Sequence, residues 1–178
     1  MQTEYKFLTP YSDADIWLRF LNQLYSNSGN DQMGGPDWAP LPHEHQYGLQ
    51  LKRRIVSRRL IVLYKEVADN DILMFSGLDD LDYVRKRARF IYLLPNGIEE
   101  KKVYNFLFQN VLKYAFECLN FRRLTAFLPL GSNNIQTTLS SFGFKKEGIL
   151  REYIGNVDKY EDIVIYGILR NECLLNFG

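Results

Sequence analysis

Few cysteines occur in the 178 residues: there are two, Cys118 and Cys173. Two cysteines make no disulfide framework, so a reducing setting, the cytoplasm, is the expectation. Charge of one sign is also lacking. Lys and Arg number 22 against 21 Asp and Glu, a net charge of +1. Such a balance gives no general drive toward nucleic acid or an anionic membrane, and no partner of either kind is expected. No apolar run reaches the length of a membrane span. Met1 to Pro10 lacks the basic and then apolar blocks of a signal peptide. Histidine is scarce as well: His43 and His45 have no Cys or carboxylate cluster beside them, so no metal site is expected. There is no repeat, low-complexity tract or linker, and residues 1–178 are expected to form a single domain.

What is present suits a packed core: 46% hydrophobic and 15% aromatic residues. Residues 5–9 read as a strand. Ser12 as an N-cap and Asp13 and Asp15 in a first turn predict a helix carrying Ile16, Trp17, Phe20, Leu21 and Leu24. Residues 26–42, rich in Gly, Asn, Asp and Pro, read as a long loop of the functional or mobile kind. A second helix is expected over 43–57, ending in the basic cluster from Lys52 to Arg59, which reads as its solvated end. Strands follow at 60–67 and 72–78 around a turn at 68–71. Asp79, Asp80 and Asp82 are placed in the next turn, facing solvent, and 83–94 in a third antiparallel strand. The longest helix is expected over 98–119. Val103, Leu107, Val111, Tyr114, Ala115 and Cys118 share one face, and Phe108, Leu112, Phe116 and Leu119 make it apolar on a second side. Cys118 is therefore read as core. A strand at 123–128, a helix at 132–141 and strands at 144–151 and 162–169 complete a mixed α/β layer architecture.

Four motifs carry a family resemblance. Gly77-Leu78-Asp79-Asp80 resembles a third-strand end. Tyr114-Ala115-Phe116-Glu117 followed by Arg123-Leu124-Thr125-Ala126 resembles a long helix running into a fifth strand. Phe142-Gly143-Phe144-Lys145-Lys146-Glu147-Gly148-Ile149-Leu150-Arg151-Glu152 is close to a sixth-strand signature. Tyr160-Glu161-Asp162-Ile163-Val164-Ile165-Tyr166-Gly167 is similar to a closing strand. Order and spacing over residues 60–172 resemble the GNAT acetyltransferase superfamily, in the branch of the ribosomal-protein N-terminal acetyltransferases.

The resemblance implies an α/β (α+β) fold: a mixed, mostly antiparallel sheet of six or seven strands with helices on both faces. It implies transfer of an acetyl or other acyl group from acetyl-CoA or another acyl-CoA to a primary amine, on a small molecule or a peptide. Two neighbouring strands part and admit the pantetheine arm. Backbone amides at the start of the long helix hold the diphosphate, and a strand amide holds the acyl oxygen. Carried onto this chain, the cofactor-binding main chain is that of Leu93, Leu94, Lys101, Lys102 and Val103. Members of the superfamily are often dimers, so a homodimer is an expectation too.

The sequence departs from the family at three working parts. The phosphate-loop glycine positions fall on Glu100 and Lys102, where Asn96 and Glu99 instead have capping-box spacing. The family's Asn, Ser and general-acid Tyr fall on Ser132, Ile135 and Leu139, none of which matches, and Leu139 has no proton to give. Near the usual general base stands Arg89. Two further readings follow: a catalytically inactive GNAT-fold binding protein, and an acyltransferase fed by a carrier-protein thioester. An open slot beside Leu93 and Leu94 favours acyl-CoA, whereas one filled by Phe106 or Phe127 excludes it.

Overall fold

The computed structural model describes residues 5–8, 33–34, 60–66, 72–93, 101–156 and 159–175. The helices expected at 12–24 and 43–57, the turn at 68–71 and the helix start at Asn96 to Glu100 lie outside the described residues. Strands β1 (Tyr5–Leu8), β2 (Met33–Gly34), β3 (Leu60–Glu66), β4 (Ile72–Asp82) and β5 (Arg87–Leu93) come first. Helix α1 (Lys101–Lys113) and a π-helical turn (Tyr114–Cys118) follow, then β6 (Arg123–Pro129), α2 (Asn133–Ser141), β7 (Lys145–Asn156) and β8 (Lys159–Leu169). The sheet has eight strands in the order β1-β3-β4-β5-β6-β8-β7, with β2 paired to β5 off that path. Among the described pairs only β5 and β6 run parallel. The expected mixed, mostly antiparallel sheet is thus present, with eight strands rather than six or seven because β2 adds to the edge of β5.

The core lies between this sheet and α1 and α2. The α1 positions Leu107, Phe108, Val111 and Leu112, with Ala115 and Phe116 in the π turn, are at most 1% exposed, so the helix is buried on two sides as its pattern predicts. Phe108 is the central contact. Its ring lies 4.9 Å from Phe90 edge-on, 5.9 Å from Tyr92 and 6.3 Å from Phe142, which binds α1 to the middle of the sheet and to the end of α2.

Two expectations are corrected. Cys118 is exposed, not core. The Leu119 N–H donates to the Tyr114 carbonyl at 3.0 Å, an i to i+5 bond. That wider turn delays the inward face by a position, and Leu119, half-buried against the core, takes the place expected of Cys118. The turn after β4 also sits later than expected. Asp79 and Asp80 belong to β4, and the chain reverses over residues 83–86. The Asp82 carboxylate accepts the Arg85 N–H at 2.8 Å and sets that reversal. The Arg85 backbone N–H, then the Arg85 side-chain hydrogen bond and last the charges of Arg85 and Arg87, hold the Asp82 carboxyl below the usual range.

The signature residues explain themselves as geometry. After α2 the Phe144 N–H reaches the Leu139 carbonyl at 3.1 Å and the Gly143 N–H reaches Ser140 at 3.0 Å, a Schellman cap. Gly143 has φ +101°, and a Cβ there would lie 2.3 Å from the Glu172 carbonyl oxygen. Glu147 falls at a bulge between Lys146 and Gly148 and forks onto both Arg123 guanidinium nitrogens. It crosses over Gly167, where a Cβ would come within 2.3 Å of its carboxylate. Asp162 accepts the Glu152 N–H at 2.9 Å and steadies the second bulge of β7.

Replacing Gly143 with Ala forces an L side chain into a left-handed backbone and against the Glu172 carbonyl. The expected loss is about 1–3 kcal/mol from backbone strain alone, read as a fall in the urea midpoint at unchanged slope. An unchanged midpoint would show that the cap does not hold α2 to the sheet.

Candidate functional site

The site is built on the ends of β5 and β6. The two strands pair in parallel from Arg87↔Arg123 to Phe90↔Ala126. Beyond that level their ladder stops, although β5 runs on to Leu93 and β6 to Pro129. Each follows a different neighbour. Tyr92 and Leu93 stay with β4, opposite Ser76 and Phe75, while Phe127, Leu128 and Pro129 stay with β8, opposite Ile165, Val164 and Ile163. The strands therefore part, as the family layout requires.

The space between them holds backbone. Met33 faces Leu93 and Gly34 faces Tyr92 in an antiparallel pair. β4 already occupies one edge of β5 at these residues, so β2 takes the edge that β6 has left, and it lies against β6 as well. Of the two aromatics considered for this slot, Phe106 is 43% exposed on α1 and Phe127 keeps its place in β6 opposite Ile165. A two-residue strand thus lies inside the loop expected at 26–42, where the Gly-Gly-Pro composition hides it.

Around the slot the described polar groups are few. Leu93 ends β5, and Lys101, Lys102 and Val103 open the described part of α1. Leu94 lies outside the described residues. The first described turn of α1 carries no acid. Tyr92 is 2% exposed, and burial pushes its phenol far above the ordinary value, so it stays neutral. Ser76, fully buried opposite Tyr92, has no hydrogen-bond partner for its Oγ among the described residues, and neither does Asn105 Oδ1 on α1. Leu139, at the position of the family's acid, is fully buried in the core. A different phenol stands close in register. Tyr166 faces Ala126, the last β6 residue still paired to β5, and its OH donates to Gln136 Oε1 on α2 at 3.2 Å.

Asp79 corrects the expectation of solvent-facing acids. It is 1% exposed, and Arg89 Nη2 donates to its Oδ2 at 2.7 Å across the β4–β5 pair. Its other oxygen accepts the Asp80 N–H at 2.8 Å. Arg89 is only 12% exposed. The place of the usual base is thus taken by one half of a buried ion pair. Spacing alone would set Asp79 opposite Phe90 once the turn is at 83–86; the bulge between Asp79 and Asp82 shifts it onto Arg89. Among the described residues there is no cluster of His, Cys, Asp and Glu suited to a metal.

Comparison with known proteins agrees with this geometry. No family profile matches the chain. In sequence it is 25% identical over 104 residues to YdaF of Bacillus subtilis (strain 168), a protein provisionally named a ribosomal N-acetyltransferase; the match covers 58% of this chain and 57% of YdaF. It is also 25% identical over 116 residues to the uncharacterised N-acetyltransferase p20 of Bacillus licheniformis, covering 65% of this chain and 64% of p20. The matched segments thus span less than two thirds of either relative's own length. In structure it resembles the spermidine N-acetyltransferase of Vibrio cholerae in complex with CoA and spermine. The TM-score is 0.69 at 18% identity, covering 94% of this chain and 96% of that one. A dodecameric form of the same enzyme gives 0.71 at 19% identity, covering 99% of each chain. The chain has the GNAT fold, and its sequence likeness is to N-acetyltransferases.

Two stability predictions follow from the site. Asp79→Ala removes the buried carboxylate that accepts from both Arg89 Nη2 and the Asp80 N–H and is expected to cost about 3–5 kcal/mol in denaturant unfolding; a cost below about 1 kcal/mol would show that the pair is solvated. Ser76→Ala removes a hydroxyl that has no partner among the described residues and is expected to leave the melting temperature unchanged or raised. A clear fall would reveal a hydrogen bond that Ser76 makes.

Proposed function

We propose that this GNAT-fold chain is an acyltransferase that moves an acetyl or other acyl group from acyl-CoA to a primary amine. The observation that carries the reading is the parting of β5 and β6 after Phe90 and Ala126. It gives the Tyr92–Leu93 edge of β5 to an extended segment other than β6, Met33–Gly34 in this structure, and a strand-like arm could pair there in the same way. The pantetheine arm is extended and carries two amides, so it can pair with that edge as a strand does. Main-chain amides of Leu93 and Leu94 would bond the arm. Those of Lys101, Lys102 and Val103, at the positive end of α1, would hold the diphosphate, with Glu100 and Lys102 at the family's glycine positions.

The chemistry is direct transfer. The amine nitrogen attacks the thioester carbonyl carbon, and the developing oxyanion rests on a β5 backbone N–H. The carbon–sulfur bond then breaks, the amide forms, the nitrogen gives up its proton and the thiolate takes one. Leu139 contributes none of this, and Arg89, held by Asp79, cannot act as a base. Catalysis on this reading is mostly positioning. Tyr166 is the phenol that the fold holds at the level where the strands part, and we assign it the proton for the thiolate.

The acceptor is a small-molecule or peptide amine. A polyamine bound to the structural neighbour and the ribosomal name of one relative support the two ends of that class. The chain is read as a single domain over residues 1–178 that works in the cytoplasm as a homodimer. A second reading, the inactive binding protein, is favoured by the filling of the slot with the chain's own backbone, beside the departures at the phosphate loop and at the positions of the family's acid and base.

Titration with acetyl-CoA and with CoA is the test. Saturable micromolar binding is expected, weakened about ten-fold by the double change Lys101→Glu and Lys102→Glu, which sets two like charges against the diphosphate. Absence of binding at millimolar ligand would overturn the acyl-CoA reading. In a turnover assay, Tyr166→Phe is expected to lower kcat about 100-fold with CoA affinity unchanged; an unchanged kcat would assign the proton to solvent.

A further inference from the structure

We propose that the Met33–Gly34 strand is a displaceable plug: it closes the acyl-carrier slot in the free protein and must leave before a donor arm can enter. The inference rests on the acyl-CoA reading. The geometry behind it is one of exclusion. β5 offers a single edge to the slot at Tyr92 and Leu93, because β4 holds the opposite edge at the same two residues. Met33–Gly34 uses that edge. An arm pairing there needs the same N–H and C=O groups, so donor and β2 cannot be bound together.

The plug is also built to come off. Among the described residues it is two residues long, the shortest of the described strands. Gly34 and Gly35 have no side chain to pack and are poor strand formers, and Pro36 has no N–H with which to extend the ladder. The fit is nonetheless good for a stand-in. Neighbouring strands lie about 4.8 Å apart, so a gap that takes one backbone between β5 and β6 has the width a pantetheine arm requires. Glycine allows the close approach on both sides. The consequence is quantitative: apparent donor affinity is the intrinsic affinity reduced by the fraction of molecules with the strand released. Whatever draws residues 33–34 off β5, an acceptor amine among them, raises donor affinity by the same factor that the donor raises its own.

The experiment measures CoA binding by calorimetry in three proteins. One is the natural chain. The second is Gly34→Pro, which removes an N–H and disfavours the strand. The third carries Met33→Cys and Leu93→Cys together with Cys118→Ser and Cys173→Ala. Facing antiparallel residues have Cα atoms about 4.5–5.5 Å apart, within the disulfide range of about 4.4–6.8 Å, so oxidation pins the plug and reduction frees it in the same molecule. Gly34→Pro is expected to bind CoA about ten-fold more tightly than the natural chain. The oxidised double-cysteine protein is expected to lose binding and the reduced one to regain it, which covers the case in which the proline variant fails to fold. Equal binding by all forms, oxidised included, would overturn the plug and leave the acyl-CoA reading standing. Failure of every form to bind, reduced and proline variants included, would overturn that reading and the plug with it.

Discussion

Everything distinctive in this molecule depends on a parallel ladder that is only four residues long. From Arg87↔Arg123 to Phe90↔Ala126 the two halves of the sheet are one surface. Past that level β5 belongs to the β3–β4 side and β6 to the β8–β7 side. A longer ladder would close the gap and leave an ordinary sheet. A shorter one would separate the halves, since no other pair of described strands joins them. Phe108 secures the junction from above by touching Phe90 and Tyr92 on β5 and Phe142 after α2. The ion pair of Asp79 and Arg89 fastens β5 to β4 just below the point of parting. Strain-free divergence needs both strands to be held by someone else, and both are.

The residues that look most like a signature do structural work. Gly143 makes a helix cap possible, Glu147 and Gly167 let a carboxylate cross a strand to reach Arg123, and Asp162 secures a bulge. The positions that would bear on chemistry are the ones that differ: Leu139 lies in the core and Arg89 is spent on Asp79. A fold can keep its packing code while its active-site side chains change, because cap, bulge and core are constrained by sterics that do not depend on what is bound. Main-chain donors survive such change, since every residue but proline supplies one.

This division also explains what could be read from the sequence. The strands were legible because alternation and turn residues bracket them, and the two-sided burial of α1 because Leu107, Phe108, Val111 and Leu112 fall on adjacent faces. Cys118 was misplaced because a period of 3.6 residues assumes an unbroken α-helix, and nothing in Tyr114 to Cys118 announces a wider turn. Asp79 was read as solvated because three acids in four residues resemble a turn. Its burial depends on a cross-strand arginine ten positions away, a non-local fact. The Met33–Gly34 strand was invisible for the same reason. Two residues carry no periodicity, and the pairing is decided by the edge they meet rather than by what they are.

A site that binds through backbone has a particular vulnerability, and here it is realised within one chain. Side-chain sites discriminate by shape and charge, so a stretch of ordinary polypeptide rarely competes for them. A strand edge does not discriminate: it presents unpaired N–H and C=O groups, and any extended backbone satisfies them. With no other occupant, leaving the Tyr92–Leu93 edge open would leave those groups unpaired between β5 and β6, at a cost that a glycine-rich segment from the same chain can remove. The segment must then be weak enough to yield to a donor that adds its diphosphate to the same amide pairing. A pair of residues ending in Gly34, followed by Gly35 and Pro36, meets that requirement. A longer, β-branched strand would satisfy the edge better and shut the slot for good.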